Sequence, residues 1–222
     1  MSEHEGRDAL PNAEHHEGGF RPMTELMDAA RKAEGMRGGP HYGPFIEQVR
    51  TLMDRARLVS PSDELALEAV EVLEKLNDRL AAAVVDEWST PSWTRFDLPA
   101  RGLITLPPYR LVRRDKEGVH ARITYRTFHL GGNDAVHGGN ISLGFDDLMG
   151  VAASAYCDEV TRTASLTVDY RSITPLNTEL DLRAWAERRE GRKVFMRATL
   201  HDGDRLCAEA HGLFITLKPG QP

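Results

Sequence analysis

An α+β fold is predicted for this chain: a helical N-terminal extension followed by an antiparallel sheet curled around one buried helix. Three observations carry that reading. Two stretches between residues 43 and 100 repeat apolar residues every three or four positions. One later segment, Gly139 to Tyr156, is apolar around most of a helical circumference. The runs before and after it alternate apolar and polar residues as half-buried strands do. With 222 residues, 41% of them hydrophobic, the chain has the material for a core. A formal net charge of −6 gives no overall attraction to nucleic acid or to an anionic membrane.

Residues 1 to about 42 are polar and rich in Gly, His and Glu, which predicts a mostly disordered arm. His4, His15, His16 and His41 fall in or at the end of it without a cysteine or acid scaffold, so they read as a solvated tail and not a metal site. The start Met1-Ser2-Glu3-His4 lacks the basic residues and apolar run of a secretory signal. No apolar stretch reaches the ~20 residues that a membrane span needs. A cytoplasmic location is therefore expected. Cys157 and Cys207 have no Cys-x-x-Cys partner and read as small buried hydrophobes.

The extension spans residues 43–100. Phe45, Ile46, Val49, Leu52, Met53 and Ala56 mark one face of a first helix. Ser60-Pro61-Ser62-Asp63 supplies a cap, a first-turn proline and an acid for a second helix, whose stripe is Leu65, Ala69, Leu73, Leu76, Leu80 and Val84. Two such helices packed together cannot bury both stripes, so they are expected to lie against the following domain or a partner subunit. A proline-punctuated linker from Trp88 leads to a sheet domain over residues 101–222. Its strands are Val119–Tyr125, then four runs after the helix around Leu166, Leu182, Met196 and Leu206–Leu217, read as a meander.

The chemistry concentrates in Ala135–Gly150. His137-Gly138-Gly139 makes a turn at the helix entrance, where unpaired N–H groups and the helix dipole favour negative charge. Asp146 and Asp147 follow inside the helix, about 100° apart around it, so they cannot address one atom equally. Asp146 reads either as a catalytic acid or as a carboxylate on a narrow solvated face. Asp147 reads as structural or subunit-facing. His137 fits a residue that fixes the turn by hydrogen bonding as well as a catalytic one. Phe145, Met149 and Tyr156 suit an apolar pocket or the core alike.

That order of elements, with an acid nine positions after His-Gly-Gly, resembles the hotdog-fold acyl-CoA thioesterases, in particular the phenylacetate-pathway and THEM-type branch of the 4-hydroxybenzoyl-CoA thioesterase superfamily. The resemblance covers roughly residues 101 to 217 and leaves the two helices unexplained. It implies acyl-CoA hydrolysis, with Asp146 as general base or nucleophile and Gly138 or Gly139 as backbone donor to the thioester oxygen. It gives His137 the role of holding the turn and places a water-orienting hydroxyl at Ser165. It further implies a homodimer or dimer of dimers with sites built from both subunits, CoA only as part of the substrate, and no metal or other cofactor. An asparagine six residues before the histidine in many relatives is Gly131 here; Asn133 stands four before and is the alternative for that role. The other readings of the same residues are a hotdog acyl-thioester hydratase or dehydratase, and a non-catalytic acyl-CoA binder.

Overall fold

The computed structural model describes residues 37–86 and 89–218. Most of the N-terminal arm, including His4, His15 and His16, lies outside the described residues, as does Trp88. Helices α1 (Tyr42–Leu58) and α2 (Asp63–Ala81) come first. They are followed by strands β1 (Tyr109–Asp115), β2 (Gly118–Thr124), β3 (Leu130–Gly132) and β4 (Ala135–Val136). Helix α3 (Gly138–Cys157) and strands β5 (Thr161–Tyr170), β6 (Glu179–Glu190), β7 (Lys193–Asp202) and β8 (Arg205–Thr216) complete the chain.

Six strands form one antiparallel sheet in the order β1-β2-β6-β7-β8-β5. The four strands after the helix are present, but their order corrects the expected meander. Only β6, β7 and β8 run as neighbours, whereas β5 pairs with the far side of β8 and β2 takes the place beside β6. Strand β1 was not evident from sequence because its alternation is broken by a bulge between Leu111 and Arg113, which leaves Val112 59% exposed. The β3–β4 pair is a separate small hairpin just ahead of α3.

The sheet wraps α3. Ile141, Phe145, Leu148, Met149 and Ala152 of the helix meet Ile123, Leu182, Met196, Leu200 and Phe214 of the strands in one core, all with almost no exposure. Each such large side chain contributes about 1.5–3 kcal/mol on burial, so the helix is held chiefly by packing. Phe145 and Met149 are thus core residues. Cys207 is fully buried, while Cys157 is half-buried at the helix end.

Helix α1 lies on the sheet domain. Arg126 grips it through Glu47 (2.5 Å) and Asp54 (2.8 Å), and Asp54 also accepts the Phe128 amide (3.1 Å). Arg50, 1% exposed, reaches across to the linker and donates to the carbonyls of Pro99 (3.2 Å) and Leu103 (2.9 Å). Helix α2 begins two residues later than its sequence signal implied. Ser62, not Ser60, is the cap, its hydroxyl accepting the Leu65 amide at 3.3 Å, with Asp63 and Glu64 in the first turn facing the positive end of the dipole. No residue of α2 is buried within one chain, and Leu65, Leu76 and Leu80 remain exposed. The expected packing of its stripe onto α1 or the sheet domain is therefore not found within the chain.

Candidate active site

The helix entrance is assembled from three elements. His129 precedes β3, and its carbonyl accepts the His137 amide (2.8 Å) and the Asn140 side chain (3.3 Å). His137 caps α3 with Nδ1, which accepts the Gly139 amide at 3.0 Å. The Gly139 N–H is thereby engaged, whereas the Gly138 N–H, the first of the helix, has no acceptor among the described residues. From β5, Tyr170 lies over the turn. Its hydroxyl donates to the Gly138 carbonyl (2.9 Å) and meets Ser142 Oγ (2.9 Å), and a Cβ at Gly138 would come within 3.0 Å of its ring. The period of β5 places Tyr170 on the apolar face with Leu166 and Val168. It is instead 54% exposed and works through its hydroxyl, which alternation of residue types does not reveal.

His129 is itself buried. Its Nδ1 accepts the Arg126 amide (2.8 Å), while Nε2 has no partner among the described residues. Burial pushes its pKa from 6.5 down to about 4, outweighing the Arg126 carbonyl 3.3 Å from Nδ1, which would raise it. Below pH 6.5 the unfolded chain binds a proton that the folded one refuses, so stability is lost as pH falls from 6.5 towards 4. We expect the unfolding free energy to drop by about 2 kcal/mol over that window from this group, measured by urea titration, with His129→Asn removing that part of the slope.

Asp146 is half-buried on α3, and its Oδ1 is buried with no hydrogen-bond partner among the described residues. It lines a cavity of about 330 Å³ whose floor is the helix face Asp146, Asp147, Gly150, Val151 and Ser154. Such an orphaned oxygen, in a residue that lines a cavity, calls for an explanation that packing does not provide. Its neighbour Asp147 is satisfied: Arg101 binds it through both nitrogens (2.8 and 3.2 Å), and the Tyr109 hydroxyl donates to it at very short range. Burial, then the adjacent carboxylate, drive the Tyr109 phenol well above its ordinary pKa, so it stays a donor. Burial alone would lower the Arg101 guanidinium, but Asp147 and Tyr109 outweigh it and hold the pKa above its ordinary value. Neither Arg101 nor Tyr109 carries a motif, and Arg101 stands 46 residues before its partner.

Ser165 is exposed on β5, just past a bulge between Thr163 and Ser165. The β5 residues that line the Asp146 cavity are Thr161, Arg162 and Thr163. Asn133 and Asp134 form the β3–β4 turn, both exposed and left-handed (φ 49° and 56°), which is a conformation that favours Asn and Asp. Gly131 has a steric reason to carry no side chain. A Cβ there would meet the His137 Cα at 2.8 Å and its nitrogen at 3.0 Å, both backbone atoms. Gly131→Asn is accordingly expected to destabilise the protein by about 2 kcal/mol without raising turnover, a result that thermal unfolding and a rate assay check together. Two arginines at the surface are engaged with acids, Arg171 with Glu209 (2.8 Å) and Arg189 with Glu159 (2.7 Å). Among the described residues no group of three or more His, Cys, Asp or Glu is placed to hold a metal ion.

Residues 133–209, which contain the turn, α3 and most of the sheet, match the model of the thioesterase superfamily. The crystal structure of protein RHA08564, a thioesterase superfamily protein, superposes with a TM-score of 0.69 at 23% identity, covering 82% of this chain and 93% of that one. The fold is that of a hotdog domain, and residues 133–209 within it resemble the thioesterase superfamily. The superposed share exceeds what residues 101–222 supply, so the likeness reaches into the helical extension ahead of the hotdog domain. Two curated relatives bear the name acyl-coenzyme A thioesterase THEM4. The one from Xenopus laevis is 41% identical over 85 residues, 37% of this chain and 38% of the relative. The one from Rattus norvegicus is 34% identical over 89 residues, 39% of this chain and 38% of the relative. The chain thus spans less than half the length of the curated relatives it matches.

Proposed function

We propose that the protein hydrolyses acyl-CoA thioesters to the free acid and CoA, with Asp146 as the group that delivers water or attacks the carbonyl. The observation that carries this reading is Asp146, a residue at the wall of a cavity with a buried and unpartnered Oδ1, inside the stretch that matches the thioesterase superfamily. As a base, Asp146 takes the proton of a water that adds to the thioester carbon; the tetrahedral oxyanion then collapses, the C–S bond breaks, and the thiolate leaves with a proton. As a nucleophile it forms a mixed anhydride that water then opens. The Gly138 N–H suits the developing oxyanion, a contribution of about 3 kcal/mol for one such donor. His137 and Tyr170 hold that turn.

Gly138 and Asp146 lie eight residues apart on one straight helix, about 12 Å along its axis, so one thioester cannot sit against both. This supports a homodimer in which the glycine turn of one copy faces the acid of the other. The long β5 edge, mostly exposed and carrying few charges, suits pairing with a second copy. No described helix is long and apolar enough to cross a membrane, and both cysteines are free thiols, which fits action in the reducing cytoplasm. The test is release of free thiol from acyl-CoAs of several lengths, including an aromatic one. Absence of release from every member of the panel rejects the reading.

A further inference from the structure

The cavity at Asp146 has one wall that does not belong to the hotdog domain. Its floor is α3, one side is the start of β5 and the other is β1, which are the two edges of the wrapped sheet. Trp93 and Phe96, from the linker that joins the helical extension to the sheet, also line the cavity. With Leu111, Val151, Val160 and Phe214 they make the lining predominantly apolar. Two lining residues, Asp146 and Thr161, each hold a buried side-chain oxygen without a partner among the described residues.

The linker is fixed in place from both ends. Arg95, itself buried, forks onto Asp97 (2.9 and 3.0 Å), donates to the Gly39 carbonyl (3.1 Å) and lies over the Tyr42 ring, tying the segment to the start of α1. Arg50 of α1 holds the carbonyls of Pro99 and Leu103. Between those two carbonyls, Ala100, Arg101 and Gly102 are all left-handed (φ 47°, 58° and 79°), a strained corner that turns the Arg101 side chain onto Asp147. Arg95, Arg50 and Arg101 thus tie the linker in turn to the start of α1, to the body of α1 and to Asp147 beside the cavity.

We propose that this linker is the selectivity wall of the acyl site: Trp93 and Phe96 close the cavity so that it takes compact apolar acyl groups, aryl or medium-length, and excludes long fatty chains. The inference rests on the acyl-CoA hydrolase reading above. A volume of about 330 Å³ lies at the small end of ligand pockets, which run from roughly 300 to 1,000 Å³. Phe96, 43% exposed, can be truncated without opening the core.

The experiment compares Phe96→Ala and Trp93→Ala with the unaltered protein, using kcat/KM for thiol release across saturated acyl-CoAs of increasing length and phenylacetyl-CoA. The same series is titrated calorimetrically against the Asp146→Asn protein, with and without Phe96→Ala. The expected result is a preference for compact acyl groups in the unaltered protein, and a rise of about tenfold in the long-to-short ratio on removing either ring. A ratio unmoved by both substitutions, or a native preference for long chains, overturns the wall. Should no thiol be released while Phe96→Ala still shifts binding towards long chains, the hydrolase reading falls and the wall stands.

Discussion

Replacing Asp146 with asparagine is expected to lower kcat for thiol release from acyl-CoA by about a thousandfold while the melting temperature stays within a degree or two of the unaltered protein. The amide is nearly isosteric but neither takes a proton from water nor attacks a carbonyl. Since Oδ1 makes no hydrogen bond among the described residues, little of the fold depends on the charge. Activity retained within tenfold would mean that another group performs the chemistry. Asp147→Asn provides the contrast. The neighbouring acid is held by Arg101 and Tyr109, so its loss should register as lowered stability together with any loss of rate.

The second large effect is expected at Arg101. Its bond to Asp147 is bidentate and the two side chains are only 18% and 20% exposed. Arg101→Met would leave the carboxylate without its guanidinium, at a loss of about 3 kcal/mol. Adding Asp147→Asn should recover a good part of that, because the carbonyl oxygen of the amide still accepts from Tyr109 and no buried charge remains. Urea midpoints of the single and double variants measure the pair. A double variant less stable than Arg101→Met alone would show that Asp147 is held by something other than the ion pair.

Much of the fold is legible in the residue pattern, because periodicity reports what each element buries. The alternation of β2, β6 and β7 and the broad apolar circumference of α3 locate the core directly. The pattern fails where one residue is inserted out of phase. The bulge at Leu111–Arg113 hides β1, and the one at Thr163–Ser165 separates Ser165 from the strand residues that reach the cavity. The strand order is hidden for a different reason, since β5 and β6 look like hairpin neighbours when only local signals are weighed.

The site divides along the same line. The turn His137-Gly138-Gly139 and the offset to Asp146 lie within one helix, so chain spacing describes their geometry. Sequence separation is what hides Arg101, Tyr109, Trp93 and Phe96, all brought to α3 from outside its neighbourhood. Asn133 shows the reverse risk: its residue type is explained by a left-handed turn, and the absence of a side chain at Gly131 by the approach of the His137 backbone.

The left-handed corner at Ala100–Gly102 also determines where the chain tolerates changes in length. Residues 82–86 beyond α2 are exposed, so insertions or deletions there alter only the spacing of the outer helix. One residue gained or lost between Leu98 and Leu103 would change which side chain occupies the corner and swing Arg101 off Asp147. The Pro99 and Leu103 carbonyls would also leave the reach of Arg50. Variation in length should therefore collect between the end of α2 and residue 90 and stop at the corner, so that the outer helix α2 can diverge while α1 and the wall beside Asp146 keep their register.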